Sequence, residues 1–99
     1  MHLNTLLNIE KDFYSYLKNN YGLSRTDVFI IMTSERFENM TAYSLASKTG
    51  FDRSLIIKRL RLLEERGYIS REEYLGKKMI TIEEKSYVVA RVFKNITRN

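Results

Sequence analysis

The side chains able to do chemistry are unevenly represented in this chain. There is a single histidine, His2, beside a chain end, and no cysteine. A Ser–His–Asp or Cys–His relay therefore lacks its central base. Disulfides, thiolate metal sites and cysteine redox switches are excluded outright. The acids occur as sequence neighbours, Glu64-Glu65, Glu72-Glu73 and Glu83-Glu84. Adjacent residues point apart on a helix and to opposite faces on a strand, so these pairs read as solvated charge and not as a catalytic couple or a metal cage. No glycine-rich phosphate loop occurs. The expectation is a protein that is not an enzyme, with no metal and no cofactor.

What remains is positive charge. Seventeen basic residues against twelve acidic ones give a net charge of +5. The halves differ: residues 1–50 balance, and the whole excess lies in residues 51–99. An excess confined to one half suits a polyanion, either nucleic acid or an anionic membrane surface. Within that half, Ser54, Lys58, Arg61 and Glu65 recur at helical spacing on one face, flanked by Arg53 and Ile57, while Ile56, Leu60 and Leu63 fall on another. A DNA major groove offers guanine acceptors, thymine methyls and phosphate walls, which match arginine, lysine, serine and an aliphatic side chain. The plainer reading is a charged solvent face. Lys77 and Lys78 follow Gly76 in a turn that can reach phosphates or a minor groove, or can simply be a lysine-protected turn. Arg71 can meet a phosphate, but Glu64, Glu72 and Glu73 offer it nearer partners.

The elements that must position these residues follow from periodicity and punctuation. At 99 residues, with no proline and four glycines, the chain is one domain richer in helices than in turns. Residues 3–20 read as a helix with two apolar stripes, Leu3, Leu7, Tyr14 and Leu17 beside Leu6, Ile9, Phe13 and Tyr16. One stripe serves the chain's own core and the second is left for a partner. Ser24 caps a buried helix that carries Val28 to Met32, with Asp27 at its positive end. Thr41 caps a short helix, Ala42–Thr49, that stops at Gly50. Asp52 or Phe51 leads into a helix to about Arg66, ended by Gly67. Tyr68–Tyr74 and Lys78–Ile82, separated by Leu75-Gly76-Lys77, read as a hairpin with Ile80 and Ile82 on one face. From Glu83 to about Thr97 the pattern returns to helix, with Val89, Phe93 and Ile96 on one stripe and Val88 and Val92 beside it. The longest apolar run, Val28–Met32, is far short of a membrane span, and no signal-peptide pattern opens the chain, so a soluble cytoplasmic protein with no membrane partner is expected.

Two helices joined at a glycine and followed by a hairpin give the order of a winged helix-turn-helix. The register supports it: Ala46 is small where the helices cross, Gly50 makes the turn four residues later, and Ile56 anchors the second helix six residues after that. Residues 1–99 thus form one mainly α domain with a small β-hairpin. Residues 41–66 are the helix-turn-helix, 68–82 the wing, and 1–20 with 83–98 the flanking dimerisation helices. Leu3, Leu6, Ile9, Phe13, Tyr16, Val89, Phe93 and Ile96 are the expected dimer contacts.

Leu45–Lys85 resembles the MarR/SarA group of bacterial transcription regulators. The resemblance is carried by Ser44-Leu45-Ala46, by Asp52-Arg53-Ser54, by the run from Leu62 through Arg66-Gly67 to Arg71, and by Thr81-Ile82-Glu83-Glu84-Lys85. It implies a homodimer built on the terminal helices, with a recognition helix in each major groove and a wing beside it. By position it places groove contacts on Ser54, Leu55, Ile57 and Lys58, and wing contacts on Lys77 and Lys78. The acid-x-arginine signature of the family's wing is replaced here by Gly76-Lys77-Lys78, and the cysteine of its redox-sensing members is missing. The combined expectation is a homodimer that binds double-stranded DNA in a sequence-specific manner and regulates transcription, through Arg53, Ser54, Leu55, Ile57, Lys58, Arg61, Lys77 and Lys78. No small-molecule effector can be named. Two other readings stay open: a winged helix used as a protein-binding module (an anti-repressor or accessory factor, with Phe13, Tyr14 and Tyr16 meeting the partner), and a DNA-binding protein of plasmid or phage replication or maintenance.

Overall fold

Short polar side chains set the helix boundaries. In the computed structural model, which describes the backbone of residues 3–97 and the side chains of 11–95, five helices and one hairpin follow in the order α1 (Leu3–Tyr21), α2 (Arg25–Arg36), α3 (Ala42–Thr49), α4 (Arg53–Glu65), β1 (Ile69–Tyr74), β2 (Lys77–Ile82) and α5 (Glu84–Thr97). Ser24 and Asp27 form a reciprocal capping box on α2, with Ser24 Oγ accepting from the Asp27 amide and Asp27 Oδ2 accepting from the Ser24 amide. Thr41 and Ser44 do the same for α3. Asp52 caps α4 by accepting from the Ser54 amide at 3.0 Å. Gly50 ends α3 at φ 78°, a conformation nearly free of strain only without a Cβ, and its amide donates to the Ala46 carbonyl.

The hairpin is antiparallel, running from the Ile69–Ile82 pair to Tyr74–Lys77 at its tip. It is tighter than the sequence suggests. Lys77 belongs to β2 and not to the turn, so the loop has only Leu75 and Gly76, and Tyr68 lies just outside β1. Met40, before α3, bridges to Ile80, with the Ile80 amide donating to the Met40 carbonyl at 2.8 Å. This bridge sews the base of the wing to the entrance of the helix-turn-helix.

One core unites the elements. Val28, Ile30 and Ile31 of α2, Leu45 of α3, and Ile56, Leu60 and Leu63 of α4 are fully buried together, and Ile69, Ile80 and Val89 close around them. The all-round apolar stretch of α2 is thus a central helix. Phe13 and Leu17 of α1 join the same core, and Phe13 meets Phe93 of α5 with ring centroids 5.6 Å apart. This changes the expected division of labour on the terminal helices. Phe13 and Val89, each only 5% exposed, serve the chain's own core and have almost no surface left for a partner.

An interaction the helical pattern does not announce fixes α4 to α2. Asp27 is wholly buried and receives two hydrogen bonds from Arg59, Nε to Oδ1 at 2.7 Å and Nη2 to Oδ2 at 2.6 Å. The geometry is the bidentate fork that suits guanidinium and carboxylate. The hydrogen bond to Asp27 raises the Arg59 pKa above its ordinary value, against the opposing effect of burial. A few residues on, Arg66 Nη1 donates to the Gly22 carbonyl, tying the exit of α4 to the α1–α2 turn.

Candidate nucleic-acid interface

With Ile56, Leu60 and Leu63 turned inward, helix geometry turns Ser54, Lys58 and Arg61 outward. All three are exposed, as is Arg53 at the start of α4. Leu55 and Ile57 flank this stripe on opposite sides, and each is 37% exposed, high for aliphatic side chains on a helix packed into a core. Among the described residues, no ion pair engages Arg53, Lys58 or Arg61. Their charges therefore remain open to an external anion.

The face also carries negative charge, and its placement matters. The Asp52 carboxylate occupies the amino end of α4, the position where a helix dipole would otherwise attract a phosphate. Glu65 stands exposed at the far end of the polar stripe. The cationic part of the face is thus bounded at both ends, from Arg53 to Arg61.

The wing presents Lys77 and Lys78 beyond the core, both exposed and neither in an ion pair among the described residues. Arg71 lies farther down β1, with Nε 3.6 Å from Glu64 Oε1. Of the two roles open to Arg71 in the sequence, this geometry selects pairing with the end of α4. Tyr43 on the first turn of α3 is 69% exposed, and the Arg53 guanidinium lies 5.7 Å from its ring centroid. Tyr43 thus sets an exposed aromatic ring beside the Arg53 cation at the start of α4. Sequence reasoning passed over it because an isolated tyrosine on a short helix carries no pattern of its own. Arg59 was missed for a different reason: its spacing sets it between the two faces, and only the fold brings Asp27 to it.

The expected dimer contacts divide. The side chains of Leu3, Leu6, Ile9 and Ile96 lie outside the described residues. Phe13 and Val89 are internal, Phe93 is half-buried against the core, and Tyr16 is half exposed. Among the described residues, Tyr16 and Tyr21 of α1 with Val88 and Val92 of α5 leave an open apolar surface around a groove of about 460 Å³ lined also by Leu17, Tyr68 and Val89. The Tyr16 and Tyr21 rings meet nearly edge-on, 5.9 Å apart. No metal-binding cluster of histidines and acids occurs among the described residues, and none of their helices is long and apolar enough to cross a membrane.

No protein-family model matches the sequence, and neither does any curated protein. Solved structures do match. A predicted DNA-binding transcriptional regulator from E. coli superposes with a TM-score of 0.70 at 18% identity, over 96% of this chain and 99% of that one. FabT of Streptococcus pneumoniae, crystallised in complex with DNA, gives 0.79 at 18% identity over 96% of this chain and 68% of its own. The reduced form of MarR from E. coli gives 0.78 at 10% identity, over all of this chain and 78% of its own. The chain therefore has the MarR-type winged-helix fold, as the Leu45–Lys85 motifs led one to expect.

Proposed function

We propose that this protein is a homodimeric, sequence-specific double-stranded DNA-binding regulator of transcription. The observation that carries the reading is the outer face of α4, where Ser54, Lys58 and Arg61 stand exposed, the two cations in no ion pair among the described residues, on a helix whose inner face is locked into the core. Such a helix can enter a major groove without unpacking anything. Lysine and arginine can meet guanine acceptors or phosphates, Ser54 either, and Leu55 and Ile57 the thymine methyl. Lys77 and Lys78 add phosphate contacts from the wing. The DNA-bound state of FabT, a protein of the same fold, supports the reading.

Duplex binding measured across a salt series tests it. Log affinity is expected to fall steeply with log salt, because bound lysines and arginines displace condensed counterions. Lys58→Ala and Arg61→Ala are each expected to weaken binding by about 1–3 kcal/mol if the side chains reach base edges. Lys77→Ala is expected to weaken specific and random duplex alike. Affinity that is insensitive to salt, or unchanged in both α4 variants, would remove α4 as the interface. A protein-binding module would barely retard random duplex in a gel shift.

A further inference from the structure

The wing tip combines two features that oppose each other on stability grounds. Leu75 is 84% exposed, the most exposed large apolar side chain among the described residues. It also sits at φ 51°, in the left-handed region that a branched L-residue avoids. Gly76 follows at φ 78°. A two-residue hairpin loop with positive φ at both central positions strongly prefers asparagine or aspartate before glycine. Leucine at the first position forgoes that preference and leaves an isobutyl group in water. Backbone strain held at an exposed position is a reason to look for function there.

The surroundings identify the partner. Tyr74 beside it is 63% exposed, Lys77 pairs with Tyr74 across the tip, and Lys78 stands opposite Glu73 one rung down, so the charge nearest the tip is the Lys77 ammonium. An apolar point between an exposed tyrosine and an ammonium group fits a surface that is anionic at its rim and apolar between stacked planes. Duplex DNA has that character at its base steps, where leucine and similar side chains wedge from the minor groove.

Building on the DNA-binding reading above, we propose that Leu75 is an apolar wedge. The wing delivers its side chain into the minor groove beside the half-site, where it partly unstacks one base step, while Lys77 and Lys78 hold the flanking phosphates. The left-handed backbone at Leu75 keeps the side chain projecting from the tip and prevents it from folding back along the hairpin.

The test uses the whole chain and a duplex that the protein itself enriches from a random pool, labelled with aminopurine at successive minor-groove steps. Leu75→Asn installs the preferred turn pair, so thermal stability should rise by several degrees while affinity falls by at least about tenfold. The slope of log affinity against log salt should not change, because no charge is altered. Wild-type protein should raise the aminopurine fluorescence at one step, Leu75→Asn should not, and Leu75→Met should restore the signal. Leu75→Asn that binds as tightly as wild type, or fluorescence that never changes, overturns the wedge and leaves the α4 reading intact. Failure of the wild type to enrich any duplex overturns both.

Discussion

Asp52 shows how much a single side chain can do at the candidate interface. Its carboxylate accepts from the Ser54 amide and so starts α4, yet it places a negative charge at the edge of the face proposed to meet DNA. Cap and charge can be separated. Asn caps about as well as Asp, so Asp52→Asn should cost only the charge–dipole contribution of about 0.3–1 kcal/mol in stability and tighten duplex binding several-fold, most visibly at low salt where the repulsion is least screened. A calorimetric scan and a binding titration on the same sample check both halves. At this scale the sequence is informative where a residue's partner is close along the chain: the Ser24–Asp27 and Thr41–Ser44 boxes and the Asp52 cap all span three residues or fewer. It is silent where the partner is remote, as with Arg59 and Asp27, 32 positions apart.

Among the elements, α4 has the most demanding task, because it must be rigid inward and available outward. Its inner side is secured by Ile56, Leu60 and Leu63 and by the Asp27–Arg59 fork. Removing one member of a buried pair strands the other. Arg59→Ala should therefore lower stability by about 3 kcal/mol by leaving the Asp27 carboxylate buried without its cation. Asp27→Asn combined with Arg59→Met should recover part of that loss, because no buried charge is left and the asparagine oxygen can still accept from the Ser24 amide, and urea unfolding of the three proteins makes the comparison. The inward–outward split of α4 was legible from period alone, since Ile56, Leu60 and Leu63 repeat at helical spacing and all are fully buried. The hairpin was legible in kind but not in register. Glycine marks a turn without saying whether Lys77 closes the loop or opens the strand, and cross-strand pairing settled that in favour of the strand.

For the molecule as a whole, the groove between α1 and α5 is the feature that bears on assembly. Tyr16, Tyr21, Val88 and Val92 are 52%, 48%, 57% and 40% exposed, a concentration of apolar surface that favours a partner. A second copy of the chain is the proposed occupant, and it would relate two α4 helices by a two-fold axis with half-sites about one helical turn apart. Val88→Glu with Val92→Glu should shift sedimentation from dimer to monomer at micromolar concentration. The same change should reduce duplex affinity without disturbing the helical content, because neither side chain lies in the core. A wild-type chain that sediments as a monomer would defeat the dimer. The sequence showed that the terminal helices carry more apolar surface than one core can take. It did not show which stripe is the surplus, because Phe13 and Tyr16 lie on one stripe of α1 and only the packing of α5 separates buried Phe13 from open Tyr16.

The fork between Arg59 and Asp27 has a consequence for how such a protein can change its target. Because α4 is held from behind, by the buried Asp27 carboxylate and a guanidinium only 18% exposed, its outer residues carry little responsibility for folding. New side chains at positions 54, 57, 58 and 61 can be grafted on without rebuilding the body beneath them, so under the proposed function a drift in DNA preference need not pass through misfolded ancestors.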